Sequence, residues 1–277
     1  MRNIARLFLL SCAATASWAA CPTGQTAATI LQSSTWAFNL RAGDFEPDSS
    51  AAVGTFLPLA NGTMQVVISY VDGNVVTRRQ QAFGRYILYP DCAGGELLFN
   101  VNGLGFQLEF VFTDNFREIF VATDDLQPRY SLGTSLTGVA RPTTAGCPAG
   151  LGNPLNILDN TTWAFRTFAP LFAGGAGSAS IGVFSPSLAS GLPRITGTET
   201  IMYGPQGPLV SHAQLSGRYV IYPDCSGGEI IITNRGSAVP SLQMEFVFAG
   251  PNFGEMYMLN DSISNSQSVV AGYASKL

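Results

Sequence analysis

The chain has 277 residues, a formal net charge of −4, and 12% charged against 46% hydrophobic residues. It is too apolar to be disordered, and it lacks the basic excess of a nucleic-acid surface. Thirty Gly and 16 Pro punctuate it too often for long helices.

Residues 1–19 read as an export signal. Arg2 and Arg6 form a positive start, Leu7 to Ala14 an apolar stretch, and Ser17-Trp18-Ala19 a small-x-small cleavage site. The mature chain then begins at Ala20. The stretch is too short to span a bilayer, and no later run of 18 apolar residues predicts a membrane helix. The expected location is the periplasm or the exterior. Ala19-Ala20-Cys21 leaves a lipoprotein anchored at Cys21 as a minor alternative.

From Trp36 onward the pattern is period two. Trp36, Phe38 and Leu40 alternate with Ala37 and Asn39; Met64, Val66, Ile68 and Tyr70 alternate with Gln65, Val67 and Ser69. Phe106, Leu108, Phe110 and Phe112 form one face of another run, which turns Glu109 to the other. Such alternation marks half-buried strands. Strands are predicted to start near Trp36, Val53, Thr63, Val75, Arg85, Glu96, Phe106 and Glu118, with a last one at Leu136 to Ala140. Asp72-Gly73-Asn74 is a hairpin signal, and Gly94-Gly95 reads as a tight turn. No helical period is seen after residue 19.

The chain is one unit written twice. Residues 84–96, GRYILYPDCAGGE, recur as 217–229, GRYVIYPDCSGGE. Cys21-Pro22, Trp36-Ala37-Phe38 and Gln107-Leu108-Glu109-Phe110 recur as Cys147-Pro148, Trp163-Ala164-Phe165 and Gln243-Met244-Glu245-Phe246. The drifting offset places insertions in the second copy near Ala173 to Ala179 and Ser237 to Ser241. The predicted domains are 20–142 and 147–277, joined by 143–146. The expected fold is all-β: two tandem antiparallel up-and-down barrels of about eight strands each, with β-sandwiches as the alternative.

Four cysteines follow the leader, two per copy. In an oxidising compartment they should pair. Four allow three pairings, and the repeat favours Cys21–Cys92 and Cys147–Cys225.

Chemistry is sparse. His212 is the only histidine, and no Gly-x-Ser-x-Gly accompanies it, so it reads as a solvated strand-edge residue. The duplicated polar pairs are Arg85/Arg218, Asp91/Asp224, Glu96/Glu229 and Glu109/Glu245. Arg85, Glu109, Arg218 and Glu245 are the candidates for a duplicated functional set, although the strand phase points Glu109 outward. Asp44, Glu46 and Asp48 read as a solvated loop rather than calcium ligands. No cofactor and no metal site is expected.

The pattern Gly-x-Tyr-x4-Asp-Cys-x-Gly, behind an N-terminal Cys and an aromatic first strand, resembles exported tandem-repeat proteins of soil acidobacteria. That resemblance covers most of the mature chain and implies no activity and no catalytic residue. The barrel pattern is also similar to lipocalin-like and allene oxide cyclase-like barrels, with Thr35-Trp36 and Thr162-Trp163 in place of the lipocalin Gly-x-Trp. The leading function is a non-enzymatic binding module for an apolar small molecule or a surface partner. A barrel-type cyclase or isomerase, and a structural envelope component, are the rivals. Cavity volume separates them, because an enclosed ligand site needs roughly 300 Å3 or more.

Overall fold

The computed structural model describes residues 21–42, 50–72, 75–123, 136–169, 178–189, 191–203, 209–235, 241–260 and 269–277. The export signal at 1–19, the acidic loop at Asp44, Glu46 and Asp48, and most of both predicted insertions lie outside these residues. Alternating side chains with no covering helix must bury one face on each other. They do so in two closed eight-stranded antiparallel barrels.

The first barrel runs β1 (Thr35–Ala42), β2 (Ser50–Pro58), β3 (Thr63–Asp72), β4 (Val75–Leu88), β5 (Gly94–Val101), β6 (Leu104–Thr113), β7 (Glu118–Thr123) and β8 (Leu136–Thr143). Each strand pairs with the next, and β1 closes on β8 through Thr35 opposite Thr143. The second runs β9 (Trp163–Ala169), β10 (Ser178–Ala189), β11 (Leu192–Tyr203), β12 (Leu209–Ile221), β13 (Gly227–Asn234), β14 (Leu242–Ala249), β15 (Glu255–Asn260) and β16 (Ala271–Lys276). It closes through Trp163 opposite Lys276.

The inward face of barrel 1 carries Trp36, Phe38, Phe56, Met64, Leu97, Phe99, Phe106 and Phe110, all buried. Each such side chain contributes about 1.5–3 kcal/mol by leaving water. Trp36 stacks on Phe56 with ring centroids 6.3 Å apart, and Trp163 on Phe184 at the same distance. Gly54 is required beside them. A Cβ there would lie 2.6 Å from the Phe38 ring, as one on Gly182 would lie 2.7 Å from Phe165.

Three sequence expectations need correction. The runs near Val75 and Arg85 are one 14-residue strand, β4. What reads as a break is a β-bulge. Arg79 has φ 42, and the register slips between Ile68 and Tyr70. Gly94 and Gly95 begin β5 rather than forming the turn. The turn is Tyr89–Cys92, with Cys92 itself at φ 60. Gly94 lies so close to Phe110 that a Cβ would strike that residue's carbonyl oxygen.

The third correction is a helix, α1 (Ala27–Gln32). Thr26 and Thr29 cap its start reciprocally. Ala27, Ile30 and Leu31 share its buried face. At six residues it is too short to show a period. It stops one end of barrel 1, where Trp36 Nε1 donates to the Leu31 carbonyl at 2.9 Å. A single turn, Pro154–Ile157, stands at the same place in the second copy.

Both predicted disulfides are present, Cys21–Cys92 and Cys147–Cys225. Two such bonds are compatible with an extracellular or periplasmic setting. The first uses the Cys21 sulfur that a lipid thioether would need. Among the described residues no helix is long and apolar enough to cross a membrane.

Candidate functional site

The interior of barrel 1 is filled. The space left among Phe38, Leu40, Phe56, Met64, Phe99 and Val121 is about 10 Å3, room for one water at most. The predicted polar candidates are not inside either. Arg85 and Arg218 are exposed on β4 and β12, and Glu109 is exposed on β6. The pairing brings together acids, not opposite charges. Glu96 stands opposite Glu109, and Glu229 opposite Glu245. His212 is exposed on β12 at φ 53, and its N–H donates to Thr200 Oγ1 at 3.3 Å. Among the described residues no group of three His, Cys, Asp or Glu is placed to hold a metal.

What the alternation could not show is that the barrels pack side by side. Ala37, Ala51, Val53 and Val71 on the outer face of barrel 1 meet Val247, Ala249, Tyr257 and Leu259 of barrel 2. Glu245 has the same outward phase as Glu109, yet it is buried because this joint covers it.

Polar contacts flank the apolar seam. On one side the Arg79 guanidinium lies 3.9 Å from the Tyr222 ring centroid and 2.9 Å from the Asp224 carboxylate, and it donates to Ser226 Oγ at 3.1 Å. On the other, Arg141 bridges Glu118 of its own barrel and Glu255 of the other, each at 2.6 Å.

These contacts move several proton equilibria. Partial burial works against ionisation of Asp224, but hydrogen bonds from Ser226 and the nearby Arg79 hold its carboxyl below the usual range. Arg141 pays a burial cost, yet its two carboxylate partners keep it firmly protonated. Burial, then Glu245 and Glu229, push the Tyr222 hydroxyl up. Burial does the same to Tyr257 and Tyr273. In barrel 2, burial and the Asp159 carboxylate push Tyr219 up to about 12.

A raised phenol favours folding while it is neutral. Its contribution is therefore complete below the ordinary tyrosine value of about 10 and disappears as pH climbs through the folded value. Alkaline titration of the native protein should leave several phenols un-ionised at pH 11. The same titration in urea should ionise all of them near pH 10. Coincident native and urea curves would contradict the burial of these rings.

Beside the joint lies an open cleft of about 1240 Å3. Its barrel 1 wall carries Glu109, Val111, Phe120, Val139 and Arg141, and its barrel 2 wall Arg166, Phe168, Ile181 and Tyr273. Strand phase sets both walls, since these are outward residues whose neighbours point into the cores. Across the floor, Arg41 of β1 lies 5.6 Å from the Phe168 ring centroid, and Arg166 lies 5.6 Å from that of Tyr273. Arg166 and Phe168 are two apart on β9 and share a face. The result is a row of cation, ring, cation, ring. Among the described residues neither arginine has a carboxylate within salt-bridge distance. Each guanidinium keeps its planar donor fork for a carboxylate, sulfonate or phosphate.

Sequence reading missed this row. Its only trace is that Arg41, Arg166 and Phe168 stand in the outward phase of their strands.

No family model matches the chain, and no curated protein does. Among solved structures the chain is similar to kievitone hydratase from Nectria haematococca, at 7% identity, 88% coverage of each chain and a TM-score of 0.28. It is also similar to a DUF3598-family protein of unknown function from Nostoc punctiforme, at 12% identity, 91% and 98% coverage and a TM-score of 0.24. A third is a mutant of transferrin binding protein B from Haemophilus parasuis, at 10% identity, 92% and 76% coverage and a TM-score of 0.24. None of these likenesses bears on function.

Proposed function

We propose that the chain is an exported, non-enzymatic binding module. Its ligand is a small amphipathic anion held in the cleft between the barrels, not inside one. The row Arg41–Phe168–Arg166–Tyr273 carries this reading. Its rings and the walls at Val111, Phe120 and Ile181 suit an apolar body, and its two guanidinium groups, which have no carboxylate partner among the described residues, suit an acidic head. The volume exceeds the roughly 300 Å3 a small ligand needs. Binding is favoured over catalysis because the cleft's other ionised groups are engaged. Arg141 holds Glu118 and Glu255, and Glu109 accepts from the Tyr89 hydroxyl at 3.3 Å. The cyclase rival relies on an enclosed apolar cavity, and the described residues of barrel 1 leave only about 10 Å3 among their core side chains.

The test is fluorescence titration with anilinonaphthalene sulfonate and with its uncharged relative phenylnaphthylamine. The sulfonate should saturate at about one site per chain. Replacing Arg41 and Arg166 together by Gln should weaken it about 10–100-fold, the loss of one or two charge-assisted hydrogen bonds. Phenylnaphthylamine should change by less than about threefold. Phe168→Ala should weaken both probes. Equal effects of the arginine changes on the two probes, or no saturable binding, would reject the reading.

A further inference from the structure

The joint between the barrels is not symmetric. Barrel 1 contributes the outer face of β1–β3, whereas barrel 2 contributes that of β14–β15. The repeat gives each barrel both kinds of face. Each therefore has one face in use and one spare.

The register fixes the counterparts. Met64 stands opposite Gly84 in barrel 1, and Ile195 opposite Gly217 in barrel 2. Counting along the strands from these pairs, Val71 matches Met202 and Val76 matches Leu209. Val53 matches Ile181 through the shared Gly54 and Gly182. On the other face, Val247, Tyr257 and Leu259 match Val111, Phe120 and Ala122 through the motifs at Glu245 and Glu109, and at Glu255 and Glu118.

Exposure then separates the used faces from the spare ones. Val53 and Val71 are each 1% exposed, but Ile181 is 64% and Met202 54% exposed. Leu209, paired directly beside Met202, is 64% exposed. Tyr257 is 2% exposed and Phe120 50%. Large apolar side chains on a solvated barrel face are costly to leave bare. Both spare faces keep them where the joint needs them. The polar fringe is kept only in part, with Ala93 in the place of Ser226 and Ser275 in the place of Arg141. His212 occupies in barrel 2 the bulge that Arg79 occupies in barrel 1, and Tyr89 and Asp91 repeat Tyr222 and Asp224.

We infer that a second copy of this chain docks on the first, its β10–β12 face against the β6–β7 face of its neighbour, repeating the internal joint between molecules. This goes beyond the cleft reading: Met202 and Leu209 do not line the cleft, while Ile181, Val111 and Phe120 stand on its walls as well. A head-to-tail contact of this kind builds a ring if its rotation closes and a filament if it does not.

Sedimentation of the full mature chain should show mass rising with concentration. Met202→Glu blocks one face and Phe120→Glu the other, so each variant alone should stay monomeric. Mixed, the two should form a one-to-one heterodimer, because one intact face of each kind remains. Leu209→Glu and Val111→Glu form a second such pair should either first variant lose its tryptophan emission and fail to fold. A parent that stays monomeric up to about 1 mM would overturn the inference, as would single variants that assemble like the parent or a mixture without heterodimer. Met202→Glu and Leu209→Glu leave the cleft lining intact, so these two should lose self-association yet bind the sulfonate like the parent, and the two readings fail separately on them.

Discussion

Replacing Cys92 with alanine is expected to lower the stability of barrel 1 by about 2–5 kcal/mol. The bond joins residues 71 apart in sequence, a loop whose closure is worth on the order of 4 kcal/mol in the chain-entropy model. It also anchors a plug. Cys92 packs with Ala27 and Ile30 of α1, and Phe112 and Phe116 lean on the same cluster. Without the bond, α1 is a six-residue helix on a loose chain end, far below the length that persists alone in water. Its Leu31 carbonyl would no longer hold the Trp36 indole. Thermal unfolding should therefore shift down, and tryptophan emission should move to the red. Cys225→Ala should do the same around Trp163. Glu109→Gln, on an exposed strand face, should change stability by less than about 0.5 kcal/mol. A larger loss from Glu109→Gln than from Cys92→Ala would show that the plug is not held by its disulfide.

Arg235→Ala should cost about 3–5 kcal/mol. Arg235 donates to both oxygens of Glu199, at 2.7 and 2.9 Å. Glu199 is turned into barrel 2 between the buried Ile195 and Ile201. Truncating the arginine leaves a buried carboxylate with its charge uncompensated. The pair itself need not stabilise the fold. Ile68 fills the matching inward position of barrel 1, so an apolar side chain fits this architecture. The double change Glu199→Ile with Arg235→Met should return stability to within about 1 kcal/mol of the parent, or above it. Urea unfolding of the single and double variants separates the two effects. A neutral Arg235→Ala would mean that the carboxylate finds water or another donor.

Period-two alternation made the barrels readable, because it reports which side chains must leave water together. The bridges were readable because the repeat pairs its cysteines one way. The cleft was not. Glu109 and Glu245 stand in the same motif and the same phase, and alternation gives both the same outward reading. One is exposed and the other buried because a second barrel covers the latter, which is a matter of tertiary packing. A trace existed in the differences between copies: Phe120 and Ala122 become Tyr257 and Leu259 on the covered face. Glu199 left a plainer mark, a lone charge in an inward row of isoleucines. The bulge at Arg79 was hidden because it needs no glycine or proline to announce it.

Barrel closure also sets an order of assembly. Every neighbouring strand pair is local, but the last seam of each barrel joins its ends, Thr35 to Thr143 and Trp163 to Lys276. Contacts so distant in sequence slow folding, since chain entropy is spent before they form. A chain emerging from its N-terminus can complete the first barrel while the second is still unmade. The second stays an open sheet, with β9 and β15 bare along their edges, until β16 arrives. Through that interval the finished first barrel offers Ala37, Val53 and Val71 as a template for β14 and β15. The exposed edges are the moment of greatest risk for wrong pairing between chains. Loss of the six residues of β16 would make that moment permanent, producing aggregation rather than a smaller folded protein.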